Sequence, residues 1–163
     1  NGAELVIQAQ INGGASCIFH AMDEADVVNI MKHPKTMIAS DGRLVKIGDG
    51  HPHPRSYGTF PRVLGHYVRE SKIITLSEAI HKMTLMPAKA MGLKNRGFIA
   101  EGNKADLTLF DPKKVIDKAT YEDPHQYSEG IEYVIVNGEV AVENKIFKPI
   151  KSGVILKKKN NER

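Results

Sequence analysis

Apolar positions along the chain follow two regimes. Up to about residue 92 they come as short runs or helical stripes. Beyond about residue 95 they alternate with polar residues around tight turns. "LVIQAQI" and "CIFHAM" are short, partly β-branched runs and predict strands, the second one buried. In "DEADVVNIMKHP" Asp23 or Glu24 opens a helix, acids fill its first turn, and Val27, Val28, Ile30 and Met31 make an apolar stripe. Pro34 stops it, and "KTMIAS" predicts another strand. Strand, helix, strand is a parallel crossover, so the expected class is α/β.

Residues 42 to 60, "GRLVKIGDGHPHPRSYGTF", are rich in glycine and proline and predict a long loop. "PRVLGHYVRES" then predicts a helix with Pro61 in its first turn. "TLSEAIHKMTLMPAKAMGL" predicts two short helices. Thr75 or Ser77 caps the first, Pro87 opens the second and Gly92 ends it. After that the pattern turns to strands in "GFIAEGNKADLTLFDP" and "IEYVIVNGEVAVENKIF". Two β-branched runs around Asn137-Gly138 signal a hairpin, and "GVILKKK" predicts a last strand. The expected division is therefore an α/β unit over 1–92 and a small β unit over 93–163.

Composition narrows the classes. With 163 residues, 41% hydrophobic and 26% charged, the chain is of ordinary globular make-up. The net charge of +4 gathers in the tail "LKKKNNER" without interleaved aromatics, which argues against a nucleic-acid partner. No apolar run approaches membrane-spanning length, so no membrane partner is expected either. Cys17 is the single cysteine. It predicts a small buried core residue and fits a reducing, cytoplasmic setting. The chain opens on "NGAELV" without an initiating Met, so an upstream region is expected.

Two residues carry candidate chemistry. Asp41-Gly42 in "MIASDG" reads first as a turn. However, it follows a predicted parallel strand and precedes the long loop, which is where α/β proteins place catalytic groups. A carboxylate there can take a proton from an attacking water. In "HPHPR", His51 and His53 have a spacing that permits co-ligation of a metal, but no third and fourth ligands stand nearby. Arg55 could grip a carboxylate with two parallel hydrogen bonds.

"MIASDG", "HPHPRSYGTFPRVLGHYVRE", "LSEAIHKMTLMPAKAMGL", "RGFIAEGNKADLTLFDP" and "YEDPHQYSEGIEYVIVNGEVAVE" resemble the C-terminal third of the N-acyl-D-amino-acid deacylases (D-aminoacylases) of the amidohydrolase superfamily. The resemblance implies the last strands and helices of a TIM-like barrel, followed by part of a small β-sandwich. It implies that Asp41 is the catalytic acid after the last barrel strand, and it leaves open whether Asp41 also touches the metal. It implies that Arg55 binds the carboxylate of the substrate, a small N-acyl-D-amino acid.

Zinc is the implied cofactor of the full-length enzyme. Its main ligands are expected upstream of Asn1, none in this chain, so no stoichiometric zinc is expected here. The missing part of the barrel, or self-association through an exposed edge, would be the macromolecular partner. A cyclic-amide hydrolase of the dihydroorotase or hydantoinase kind remains a rival reading. So does a non-catalytic interaction module.

Overall fold

A computed structural model describes residues 1–15 and 17–157. Five α-helices and four strands follow in order: α1 (Gly2–Ile11), α2 (Glu24–Lys32), α3 (Arg55–Arg62), α4 (Leu76–Met83), α5 (Leu85–Ala90), β1 (Leu107–Phe110), β2 (Ile131–Val136), β3 (Glu139–Glu143) and β4 (Ile146–Phe147). Helix α3 runs straight on into a π-helical segment, Val63–Glu70.

The helices with complete local signals lie where their sequences place them. Asp23 caps α2 by accepting from the Ala25 N–H at 2.7 Å. His33, which precedes Pro34, turns extended and ends it. Thr75 and Glu78 form a reciprocal capping box on α4. Those hydrogen bonds, from the Thr75 backbone first and its hydroxyl second, hold the Glu78 carboxyl below its usual pKa. Gly92 ends α5 with a φ of 73°. Its N–H reaches Lys89 O and the Leu93 N–H reaches Ala88 O, which is the paired closure that left-handed glycine permits. Helix α5 begins at Leu85, two residues ahead of the predicted Pro87.

Several predicted elements are corrected. "LVIQAQI" lies in helix α1, capped by Asn1 and Glu4, and not in a strand. "CIFHAM" and "KTMIAS" form no strand, and Cys17 is exposed, not a core residue. The reason is common to all three. A helix satisfies its own backbone, whereas a strand exists only beside a neighbour, and none of these segments has one. The parallel crossover is therefore absent among the described residues, whose strands are all antiparallel. Residues 153–157 of the predicted last strand are also irregular, and the rest of "GVILKKK" and of the basic tail lies outside the described residues.

Helix α3 starts at Arg55, so the long loop ends early and Pro61 falls inside the helix. Proline lacks an N–H and leaves the carbonyl four residues back without a donor. That carbonyl belongs to Tyr57, and the Ser128 hydroxyl donates to it at 3.1 Å. Beyond Pro61 the helix widens to π pitch, with the Ser71 N–H reaching back to His66 O.

The sheet runs β1-β2-β3-β4. Asn137 and Gly138, both at positive φ, make the predicted two-residue hairpin. A second such turn, Asn144-Lys145, joins β3 to β4. Met31, Val63, Leu64, Tyr67, Ile74, Ala79 and Val115 form one core that unites helices with the segment after β1. The π-helical segment approaches that segment at Gly65, where an added Cβ would lie 2.5 Å from Val115 O.

Lys82 is buried, and its Nζ donates to the His33 and Thr36 carbonyls, at 2.5 and 3.1 Å. Its own carbonyl accepts from the Ile38 N–H at 3.1 Å. The segment leading to Asp41 is thereby tied to α4.

Candidate active site

Asp41 sits in the left-handed region, with φ at 48°. Asp is among the few side chains that tolerate it. The Ser40 hydroxyl closes the turn by accepting from the Gly42 N–H at 3.1 Å. Gly42 then lies directly on the start of α3. A Cβ there would come within 2.9 Å of Arg55 O and 3.0 Å of Ser56 Cα. The Arg43 N–H donates to Ser56 Oγ at 3.2 Å. The turn is thus fastened by backbone to the first residues of α3.

The two side chains singled out in the sequence meet across that junction. Arg55 Nη2 lies 2.6 Å from Asp41 Oδ2. Asp41 is 84% exposed and Arg55 44%, and an exposed ion pair of this kind contributes about 0–1 kcal/mol.

The histidines of "HPHPR" are structural partners in this geometry. His53 Nδ1 accepts the Arg55 N–H at 3.0 Å and so serves the open end of α3. Burial first, then the Arg55 guanidinium and His20, push the His53 pKa below 6.5, against a weaker upward pull from Asp41. His51 Nε2 donates to Tyr121 O at 2.6 Å. His125 Nε2 donates to Gly50 O at 3.0 Å, which leaves its Nδ1 to accept from the Tyr57 hydroxyl, also at 3.0 Å. Burial, followed by Tyr127 and Asp49, raises the Tyr57 pKa.

These contacts bind the loop before α3 to residues 121–128. Tyr121 lies edge-on to His20 and His53, and Tyr57 edge-on to Tyr127. The sequence pattern offered no role for Tyr57, Tyr121 or His125. The clustering of aromatics and histidine in "YEDPHQY" was the available signal.

Among the described residues no three His, Cys, Asp or Glu side chains group as a metal site. Two open clefts lie against the sheet around Arg96, Asn137 and Val154, away from Asp41. The Asp41–Arg55 pair sits on an open face.

A family model described as "Amidohydrolase family" matches residues 13–142, and the chain belongs to that family. It is 46% identical over 137 residues to an N-acyl-D-glutamate deacylase of Alcaligenes xylosoxydans xylosoxydans, covering 84% of this chain and 28% of that protein. It is similar to a solved D-aminoacylase described as defining a novel subset of amidohydrolases, with 46% identity and a TM-score of 0.75, over 79% of this chain and 27% of the other. The N-acyl-D-glutamate deacylase of Bordetella bronchiseptica, solved with zinc and a phosphonate mimic of the tetrahedral intermediate, aligns at 45% identity and a TM-score of 0.69, over 74% and 25%. A dihydroorotase of Endomicrobium trichonymphae matches over only 44 residues, 27% of this chain. The chain thus spans little more than a quarter of the length of the deacylases it matches.

Proposed function

We propose that this chain is the C-terminal part of a hydrolase that cleaves the amide bond of N-acyl-D-amino acids, releasing the D-amino acid and a carboxylic acid. The observation that carries the reading is the 2.6 Å meeting of Asp41 with Arg55, in a chain whose deacylase likeness extends over most of its length. Residues 1–92 would supply the last part of a barrel and 93–163 part of a β-sandwich. Large apolar side chains left bare in the first part, Leu5, Val6, Ile11, Phe19 and Met22, support a barrel wall that further sequence covers. Left uncovered, these side chains would otherwise serve self-association.

In this reading Asp41 takes a proton from the attacking water while that water's oxygen bonds to the acyl carbon. Asp41 then returns the proton to the amine nitrogen as the C–N bond breaks. Arg55 grips the substrate carboxylate through its planar fork and sets the amide at a fixed distance from Asp41. Among the described residues no donor set makes a zinc centre by itself. Zinc, which supplies Lewis-acid chemistry in such hydrolases, belongs in this reading to the complete polypeptide, with its main ligands outside the described residues.

The dihydroorotase-like alternative is weakened by the short match, and a neutral ring amide offers Arg55 no carboxylate. The test is hydrolysis by the complete polypeptide of N-acetyl-D-methionine, its L enantiomer and dihydroorotate. Turnover of the D substrate alone is expected. Preference for dihydroorotate would overturn the assignment, and no turnover of any of the three would favour an interaction module.

A further inference from the structure

Arg55 has two tasks to perform with one head group. A guanidinium presents paired donors along two edges, Nε/Nη2 and Nη1/Nη2, and both edges include Nη2. Nη2 is the nitrogen that Asp41 holds. Each edge uses a different Nη2 hydrogen, so a second carboxylate that takes the edge facing Asp41 would arrive beside the Asp41 carboxylate, and two like charges at that separation repel.

The two backbones are in contact beneath the pair. Gly42 is pressed against Arg55 O and Ser56 Cα, and Arg43 is bonded to Ser56. What can change is the partner of the guanidinium. The ion pair is exposed and weakly held, and the arginine side chain is long enough to turn from one carboxylate to another.

We propose that Arg55 exchanges partners during the reaction. Before substrate binds it occupies Asp41. The carboxylate of an N-acyl-D-amino acid then captures the guanidinium and frees Asp41 Oδ2 to receive the proton of the attacking water. This inference rests on the deacylase reading and adds to it. The substrate carboxylate acts both as a handle and as the signal that releases the proton acceptor. Substrates without a carboxylate are discriminated against twice, because they bind poorly and leave Asp41 engaged.

The experiment compares wild type with Arg55→Ala in the complete polypeptide, on N-acetyl-D-methionine and on N-acetyl-D-methioninamide. Arg55→Gln serves as a second variant, and thermal unfolding confirms that both are folded. Removing the guanidinium should lower kcat/KM on the acid by at least ten- to a hundredfold. On the amide it should raise kcat/KM by about two- to fivefold, the factor that corresponds to losing an exposed ion pair. A loss on the acid with an unchanged or lower rate on the amide would overturn the exchange and leave the carboxylate grip standing. Equal losses on both substrates would remove the grip itself, and the exchange with it.

Discussion

Asp41 and Arg55 are neighbours through their backbones before their side chains meet. The left-handed turn at Asp41 and the missing Cβ at Gly42 bring the chain onto the first turn of α3. Charge alone would not make Arg55 specific, since lysine keeps it. The planar fork is what matches a carboxylate at two points. Arg55→Lys is therefore expected to cost about ten- to a hundredfold in kcat/KM on N-acyl-D-amino acids. Steady-state kinetics on the acid substrate check this, and a loss under twofold would make the arginine a loop support.

His53 acts differently. Its Nδ1 can accept the Arg55 N–H only while the ring is neutral. Its folded pKa lies below 6.5, so the unfolded chain takes up the proton more readily. The stability it contributes is present above about 6.5 and is lost as pH falls through the folded value. His53→Asn offers an acceptor that does not titrate. The drop in melting temperature between pH 7.5 and 5 should be smaller in that variant than in wild type. An equal drop would detach His53 from the start of α3.

At the scale of elements, Pro61 and Ser128 form a compensated break. Proline withdraws a donor from Tyr57 O and serine returns one from a distant loop. Ser128→Ala should cost about 1 kcal/mol. In a Pro61→Ala background the restored backbone N–H can donate to Tyr57 O, and the cost of Ser128→Ala should shrink toward zero. Denaturant unfolding of the four variants measures the difference, and additive costs would mean that the two residues do not share the carbonyl.

The same pair explains what the sequence concealed. A proline at position 61 reads as a helix start, because its replacement donor lies 67 residues away. By contrast α2, α4, the end of α5 and the Asn137-Gly138 turn were legible, since caps and glycines act over three or four residues. The predicted strands before residue 41 were not, because a strand depends on a neighbour that its own sequence does not name. Asp41 and Arg55 were legible as residue types and by family likeness. Their contact was not, because it depends on how closely Gly42 approaches α3. Tyr57, Tyr121 and His125 went unassigned for the same reason, as the contacts that join them span about seventy residues.

Among the described residues, one core joins α2, the π-helical segment and α4 to the segment after β1 through Val115, while Leu5, Phe19 and Met22 stay bare. A chain spanning about a quarter of its relatives can hold Asp41 and Arg55 together only if such a core supports them. Lys82 and Gly42 show how this is done, through carbonyls and backbone contact and not through the site side chains themselves. In the deacylase reading Asp41 carries the proton of the attacking water. The most direct test is kcat on N-acetyl-D-methionine for the complete polypeptide and its Asp41→Asn variant, with bound metal measured in both. A loss of about 10²- to 10⁴-fold at nearly unchanged metal content is expected. A variant that keeps near-normal kcat would contradict it and return Asp41 to the role of a turn residue.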